Sequence, residues 1–379
     1  MKLQILATSR GSTSVEVYCH FPPQMPLFFL ANFHHNQAKL DFAKTICETM
    51  VYNVCTVQKF LISLYYMKTD SYYTDKSRVN NSALGYFLKS PRFFHKMMTE
   101  DVEQESKTSL EFGTALHMYV LQPNEFKHTY RIADFEIPRL SQQKAFCEEF
   151  IRLREKGPRI AAFEAYKASY ATKGKSDDKI AVESIALLLR YKTYIQSCDG
   201  RKYLTWSQFN KIKDLYKEAM KHKFAKTLLE TKGECEYHIN WECCGVDCKS
   251  LLDKVIIDED SKTITLIDLK TTSHIATFKD SVDTYDYFRQ MQFYKMALKY
   301  LIDNGFYKYK FDEFTFRCYI IAFDTSDTKE VKVFDMLNGM VDKEEQIKSI
   351  LTQIKWHMDN NLWDHSRDYY EGDGVEKLV

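Results

Sequence analysis

The sequence predicts an α/β fold in which a mixed central sheet carries helices on both faces. Three β-rich runs, over residues 234–242, 247–257 and 264–271, follow one another with short polar turns between them, which is typical of an antiparallel meander. An amphipathic pattern then predicts a helix over residues 284–302, and a further β-rich run spans residues 313–323. With one helix placed before them, these segments give the order α, β, β, β, α, β.

Several helices are predicted between residue 81 and the sheet. The polar pair Asn81–Ser82 begins a first helix, and Ser90–Pro91 closes it. A second helix begins near Ser109, ends near Leu121 and is stopped by Pro123. This second helix is the one that opens the αβββαβ order.

A helical insertion is predicted at about residues 155–200. Within and after it, single helices are expected over residues 180–195 and 206–229. The second of these is rich in lysine between Lys211 and Lys226. Such a helix could line a DNA channel, since phosphate contacts dominate DNA affinity. Acidic residues are interleaved with the lysines, so a solvated helix face is an equal alternative.

The composition indicates an ordinary globular protein. Hydrophobic residues make up 45% of the 379 residues and charged residues 28%, with a net charge of only +1. Any nucleic-acid site must therefore be a local basic surface. The ten cysteines lack the rhythm of a disulfide framework, no signal pattern opens the chain, and the longest apolar stretch, residues 51–67, is short and interrupted. We expect a soluble cytoplasmic protein with reduced thiols and no membrane partner.

Two regions are expected along the chain. Residues 1–66 have weak periodicity and no assigned role, whereas residues 67–379 contain every patterned element described above. Met67 precedes a sharper pattern and is a candidate for the natural start.

Two acids and a lysine on neighbouring strands are the strongest chemical signal. Asp253 lies in the second β-rich run, and Asp268 and Lys270 lie in the third. Because side chains alternate along a strand, Asp268 and Lys270 should project from the same face. Carboxylates and a backbone carbonyl such as that of Leu269 are ligands that Mg²⁺ accepts, and an ammonium beside them can position an attacking water. This pattern predicts hydrolysis of a phosphodiester bond, or it is a chance combination of strand acids and a lysine with no catalytic role.

Four further side chains extend the candidate site. His117, on the helix before the sheet, could complete the metal site, or it could be an ordinary half-buried histidine. Glu236, on the first strand, could bind a metal directly or through water, or it could be solvated. Gln290 and Tyr294 lie one helical turn apart and suit a contact with sugar and phosphate, although ordinary packing of Tyr294 is the simpler alternative.

In this order, these residues resemble the PD-(D/E)xK nuclease superfamily and its RecB-like branch. The sequence is most similar there to the phage and prophage RecE (exonuclease VIII) type, over roughly residues 72–337. The similarity rests also on the segments Asn80–Phe94, Phe112–His117, Gln122–Phe126 and Asp268–Thr272.

The resemblance implies a restriction-endonuclease-like core and a Mg²⁺-dependent exonuclease, with Mn²⁺ as a substitute. Asp253, Asp268, Lys270, Glu236, Gln290 and Tyr294 would be catalytic, and His117, Asp253, Asp268 and Leu269 would hold the metal. The enzyme would digest one strand of linear duplex DNA from its 5′ end. The 3′ strand would pass to a RecT-like single-strand annealing protein. The enzyme would form a homo-oligomeric ring in a bacterial or phage-infected cell.

Several alternatives stay open on the sequence. The same site could cut internally or at branched structures, or the chain could be a non-catalytic DNA-binding accessory. An iron–sulfur cluster is not expected, because Ser90 stands where related nucleases have their first cysteine ligand and no cysteine follows Cys318. A zinc site built from Cys235, Cys243, Cys244 and Cys248 is disfavoured, because paired C-x-x-C spacing is missing.

Overall fold

A computed structural model describes residues 72–101, 108–305 and 307–376, together with the backbone of two short strands near the start of the chain. The chain divides into two compact units, Met1–Thr74 and Asp75–Val379. In the first unit, strand β1 (Leu3–Leu6) pairs antiparallel with β2 (Glu16–Cys19). The rest of residues 1–66, and the candidate start at Met67, lie outside the described residues.

Helices surround the sheet of the second unit. Before the sheet come α1 (Asn81–Lys89), α2 (Pro91–Thr99), α3 (Thr108–Leu121), α4 (Pro123–Thr129), α5 (Ser141–Leu153), α6 (Pro158–Ser169), α7 (Asp177–Arg190), α8 (Lys192–Ser197), α9 (Trp206–Lys221) and α10 (Lys223–Glu230). Within and after the sheet come α11 (Phe278–Thr284), α12 (Tyr287–Asn304), α13 (Lys343–Asn360) and α14 (Arg367–Glu371). None of the helices described here is long and apolar enough to cross a membrane.

The sheets have a simple topology. A short parallel pair joins β3 (Tyr130–Ala133) to β4 (Lys202–Thr205). The main sheet has five strands in chain order: β5 (Glu234–Cys243), β6 (Val246–Asp258), β7 (Thr263–Thr272), β8 (Thr315–Asp324) and β9 (Val331–Asp335). All neighbours are antiparallel except β7 and β8, which are parallel and joined through α12. The predicted α/β class, the mixed sheet and the αβββαβ order are confirmed.

The first helix has a different cap from the one predicted: Asn80, and not the pair Asn81–Ser82, precedes α1, whereas Ser90 closes it as predicted. The side chain of Asn80 accepts a hydrogen bond from the backbone N–H of Ala83 at 2.9 Å and caps α1. Ser90 ends α1 and caps α2, since its hydroxyl accepts from the N–H of Phe93 at 3.0 Å. Pro91 follows at the first helical position. A backbone N–H there would have no acceptor within the helix, so the lack of one in proline costs no hydrogen bond.

Each face of the main sheet is covered by its own hydrophobic core. On one face, α1, α12 and α13 pack against the sheet through residues such as Leu84, Leu266 and Phe293. On the other, α3, α9 and α10 pack through residues such as Leu116 and Leu269. The site-bearing strands are thus fixed between two helical layers.

The helices α5 to α8 have a core of their own. It is built from residues such as Phe146, Tyr166 and Tyr191 and shares no buried residue with the cores that cover the sheet. These helices lie in the chain between β3 and β4.

Two helices predicted as continuous are interrupted. The helix expected over residues 180–195 ends at Arg190, and a new one begins after Tyr191. The helix expected over residues 206–229 breaks at His222, whose ring Nδ1 accepts a hydrogen bond from the N–H of Ala225 at 3.2 Å and caps α10. No proline or glycine lies at either break. The apolar pattern of the sequence therefore continues across both and predicts one helix in each case.

Candidate active site

The main sheet divides into two halves between β6 and β7. These strands pair from Lys254 with Ile267 to Asp258 with Thr263, and the ladder stops there. Towards its start, β6 continues alongside β5 alone, and towards its end, β7 continues alongside β8 alone. The strands therefore form a fork, and the first positions past its closed end are Asp253 and Asp268.

Three acids lie in one row across this fork. Cys235 pairs with Lys254 and Tyr237 with Leu252, so Glu236 lies opposite Asp253 in the register. The pair Lys254–Ile267 likewise puts Asp253 opposite Asp268. Glu236 interacts electrostatically with both Asp253 and Asp268, so the three carboxyls lie close together. Glu236 interrupts its strand with a positive φ of 49°, a strained conformation for a residue with a side chain.

Asp268 and Lys270 form an ion pair, as their spacing of two residues predicts. The Lys270 ammonium lies 2.7 Å from Asp268 Oδ2. The side chain of Asp268 is 1% exposed and that of Lys270 is 17% exposed. The pair is therefore largely removed from water, and the charge of each group strongly affects the other.

His117 reaches Asp253 from α3, which packs against this part of the sheet. Its Nδ1 lies 3.3 Å from Asp253 Oδ2, and its ring also hydrogen-bonds the backbone of Leu269. The same Asp253 oxygen accepts a hydrogen bond from the N–H of Leu269 at 2.7 Å. Gly113, one turn before His117, lets the helix approach: a Cβ there would lie 3.3 Å from Thr271 Oγ1.

Helix α12 contributes the polar groups on the other side of Asp268. The amide nitrogen of Gln290 donates to the hydroxyl of Tyr294 at 2.9 Å and lies 3.5 Å from Asp268 Oδ1. Tyr287, one turn before Gln290, places its ring centroid 4.8 Å from the Lys270 ammonium. Tyr287 is a site residue that the sequence reasoning missed. Its position three residues before Gln290 on the same helix was the available signal.

Burial and mutual repulsion shift the protonation of the site. Burial, with Asp253 and Asp268 nearby, raises the pKa of Glu236 to about 8. Burial raises the pKa of Asp268 to about 6 against the opposing effect of Lys270. Burial, helped by Lys270, lowers the pKa of His117 to about 4. Near neutral pH, Glu236 therefore keeps its proton and the His117 ring is uncharged.

The donor set suits a hard divalent cation. Among the described residues, no three His, Cys, Asp or Glu side chains already stand in an arrangement that could hold a metal ion. Oδ2 of Asp268 is nevertheless buried and has no partner in hydrogen-bond geometry, although the Lys270 ammonium is close. Two carboxylates, a neutral imidazole and the Leu269 carbonyl are donors that Mg²⁺ or Mn²⁺ accepts. The metal site remains a prediction that these groups fit.

The cysteines near the first hairpin are not arranged as a zinc site. Cys235 and Cys243 lie at opposite ends of β5, which puts them about 26 Å apart along the strand. Cys243 and Cys244 approach to 3.6 Å at the turn, where Cys244 is exposed, and Cys248 is buried. Four thiols spread in this way cannot share one ion.

The lysine-rich stretch is divided between α9 and α10. The Lys221 ammonium lies 2.6 Å from Glu218, and the Lys217 ammonium lies 3.8 Å from Asp214. Lys211 lies 5.6 Å from the ring centroid of Phe112 on α3. Part of the basic charge is thus balanced within the protein, which favours the solvated-face interpretation for those positions.

A mixed sheet whose fork carries Asp253, Asp268 and Lys270 defines a domain of the PD-(D/E)xK nuclease type. The profile of a family described as "PDDEXK-like domain of unknown function (DUF3799)" matches residues 81–367. The chain belongs to this family, so the superfamily resemblance is confirmed, whereas the RecE-type assignment stays a prediction.

No curated protein matches the chain. A crystal structure from Eubacterium rectale, described as a "Putative exonuclease", is similar with a TM-score of 0.46 and 11% identity, over 82% of this chain and 94% of that one.

Proposed function

We propose that this protein is a Mg²⁺-dependent DNA exonuclease that digests one strand of linear duplex DNA, starting from the 5′ end. The observation that carries the proposal is the row of Glu236, Asp253 and Asp268 at the fork, with Lys270 paired to the last of them. In hydrolysis of a phosphodiester, carboxylates can hold a divalent cation, and a buried ammonium beside them can stabilise the charge that develops on the phosphate.

Each side chain has a role in this proposal. When bound, Mg²⁺ would neutralise charge on the scissile phosphate and make a water more acidic. Asp253 and Asp268 would hold the cation, with His117 and the Leu269 carbonyl completing its ligands. The Lys270 ammonium, fixed by Asp268 at 2.7 Å, would orient the attacking water.

Glu236, beside Asp253 and Asp268, would bind the cation directly or through a water. The remaining polar groups would contact the substrate. Gln290 and Tyr294, already joined by a hydrogen bond of 2.9 Å, would contact the sugar–phosphate backbone as a unit.

The wider role follows from the RecE resemblance. The product would be a duplex with a 3′ single strand, which a RecT-like annealing protein would take up for recombination. A homo-oligomeric ring around the DNA would keep the enzyme on its substrate. A bacterial or phage-infected cell is the expected setting.

End-labelled linear duplex, incubated with Mg²⁺, tests the proposal. Early release of the 5′ label, with covalently closed circles left intact, is the expected result. Lys270→Ala should lose this release, while Lys332→Ala, which changes a 45% exposed lysine on β9, should keep it.

Other outcomes would replace the proposal. Cutting of closed circles would make the protein an endonuclease with the same site. Binding of linear duplex without any release of label by the wild type would make it a DNA-binding accessory.

A further inference from the structure

Two tyrosine rings extend the candidate site towards solvent. The Tyr287 ring contacts two groups. The Lys270 ammonium lies 4.8 Å from its centroid, and the centroid of Tyr285 is 5.7 Å away with an angle of 22° between the ring planes. Tyr285 is 63% exposed, whereas Tyr287 is half-buried. The Tyr285 ring is thus the outer member of a stack whose inner member contacts the predicted catalytic lysine.

The turn that carries these rings is rigid. Asp286 has a positive φ of 47°, and its side chain caps α12 by accepting from the N–H of Arg289 at 3.2 Å. The same carboxylate pairs with the side chain of Arg289 at 3.4 Å and with Lys343 of α13 at 2.9 Å. A strained residue held by three contacts to two other residues fixes the course of the backbone on either side of it. The backbone beside Tyr285 is therefore held in place before any ligand arrives, and the Tyr285 ring itself stacks on Tyr287.

We propose that Tyr285 is a stacking platform for the base of the nucleotide next to the scissile phosphate. Aromatic rings bind bases through stacking with little regard to sequence. Stacking on the base beside a scissile phosphate is easiest when that base has left the duplex, so the platform favours a terminal nucleotide that is unpaired. The inference rests on the proposed function and specifies its substrate: a frayed or single-stranded end in preference to a fully paired one.

Kinetics on two kinds of end test the selection. Linear duplexes with blunt ends or with a few mismatched terminal pairs are compared for the wild type, Tyr285→Ala, Tyr285→Trp and Tyr300→Ala. Tyr300 is a matched control, since it is 39% exposed and lies on α12 about 20 Å along the helix from Tyr287.

Loss of the platform should weaken binding and leave the chemical step unchanged. We expect Tyr285→Ala to raise KM on mismatched ends about tenfold, equivalent to about 1.4 kcal/mol, with kcat within about twofold. Its preference for mismatched over blunt ends should disappear. The tryptophan variant should retain the preference and Tyr300→Ala should match the wild type. An unchanged preference in Tyr285→Ala overturns the inference.

Photocrosslinking gives a second readout that needs no cleavage. A duplex with 5-iodouracil as an unpaired 5′-terminal base is bound in Ca²⁺, irradiated and digested for peptide mapping. The crosslink should lie on Tyr285 and vanish in Tyr285→Ala, and a crosslink elsewhere overturns the inference. If the wild type digests DNA but both tests are negative, this inference alone fails. If the wild type neither binds nor digests linear DNA, the proposed function fails with it.

Discussion

Glu236→Gln should make the metal-free protein more stable at neutral pH. Burial and the two neighbouring acids raise the pKa of Glu236 from 4.5 to about 8. Between these values the folded chain holds a proton that the unfolded chain releases, so stability falls as pH rises. Below pH 4.5 the group is protonated in both states and contributes nothing, and above about pH 8 the penalty is complete.

The loss of stability can be calculated from the pH range between the two pKa values of Glu236, 4.5 and about 8. Each pH unit within it lowers the free energy of unfolding by about 1.4 kcal/mol. From pH 5 to pH 7.5 the wild type should lose at most about 3 kcal/mol through this group. Glutamine keeps the shape of the protonated acid but cannot ionise, so the variant should avoid this loss.

Urea unfolding in EDTA measures the difference. All four tryptophans lie in the unit Asp75–Val379, so their fluorescence reports that unit alone. Glu155→Gln, which changes a side chain that is 92% exposed, is the control and should follow the wild type. If the stability curves of Glu236→Gln and wild type stay parallel between pH 5 and pH 7.5, the assigned pKa shift is wrong.

Three further outcomes are expected. Lys270→Ala should lower Mg²⁺-dependent nucleotide release about 100-fold or more while duplex binding in Ca²⁺ persists, and near-normal release would contradict the role of the lysine. Millimolar Mn²⁺ should raise the melting temperature of the wild type by about 5 °C in a thermal-shift assay, and Asp268→Asn should abolish the rise. Ser90→Ala should remove the cap on α2, whose bond is 3.0 Å long, and reduce the free energy of unfolding by about 1 kcal/mol in urea.

The strands could be predicted closely from the sequence. The run over residues 264–271 became Thr263–Thr272, and the run over 234–242 became Glu234–Cys243. Runs of β-branched residues between polar turns carry this information locally. The helix breaks at Tyr191 and His222 could not be predicted, because long-range packing and an unusual ring-nitrogen cap decide them.

The site could be predicted only in part for a similar reason. The period of two placed Asp268 and Lys270 on one face, and the structure has them 2.7 Å apart. That Glu236 lies opposite Asp253 depends on strand register, which turn geometry and the pairing of both strands determine together. The fork depends on where a ladder stops, and no residue pattern marks that point.

The fork also limits which substitutions, insertions and deletions this domain can accept while it keeps its site. Where two strands part, peptide groups lose their cross-strand partners, and one of them, the N–H of Leu269, donates instead to Asp253 at 2.7 Å. A main-chain group, which every substitution except proline leaves in place, thus anchors this acid. Inserting or deleting one residue in the turn after Asp258, by contrast, would send the side chains of β7 to the opposite face. Homologues of this domain can therefore drift far in sequence, yet the length of that hairpin should hardly vary among those that keep the activity.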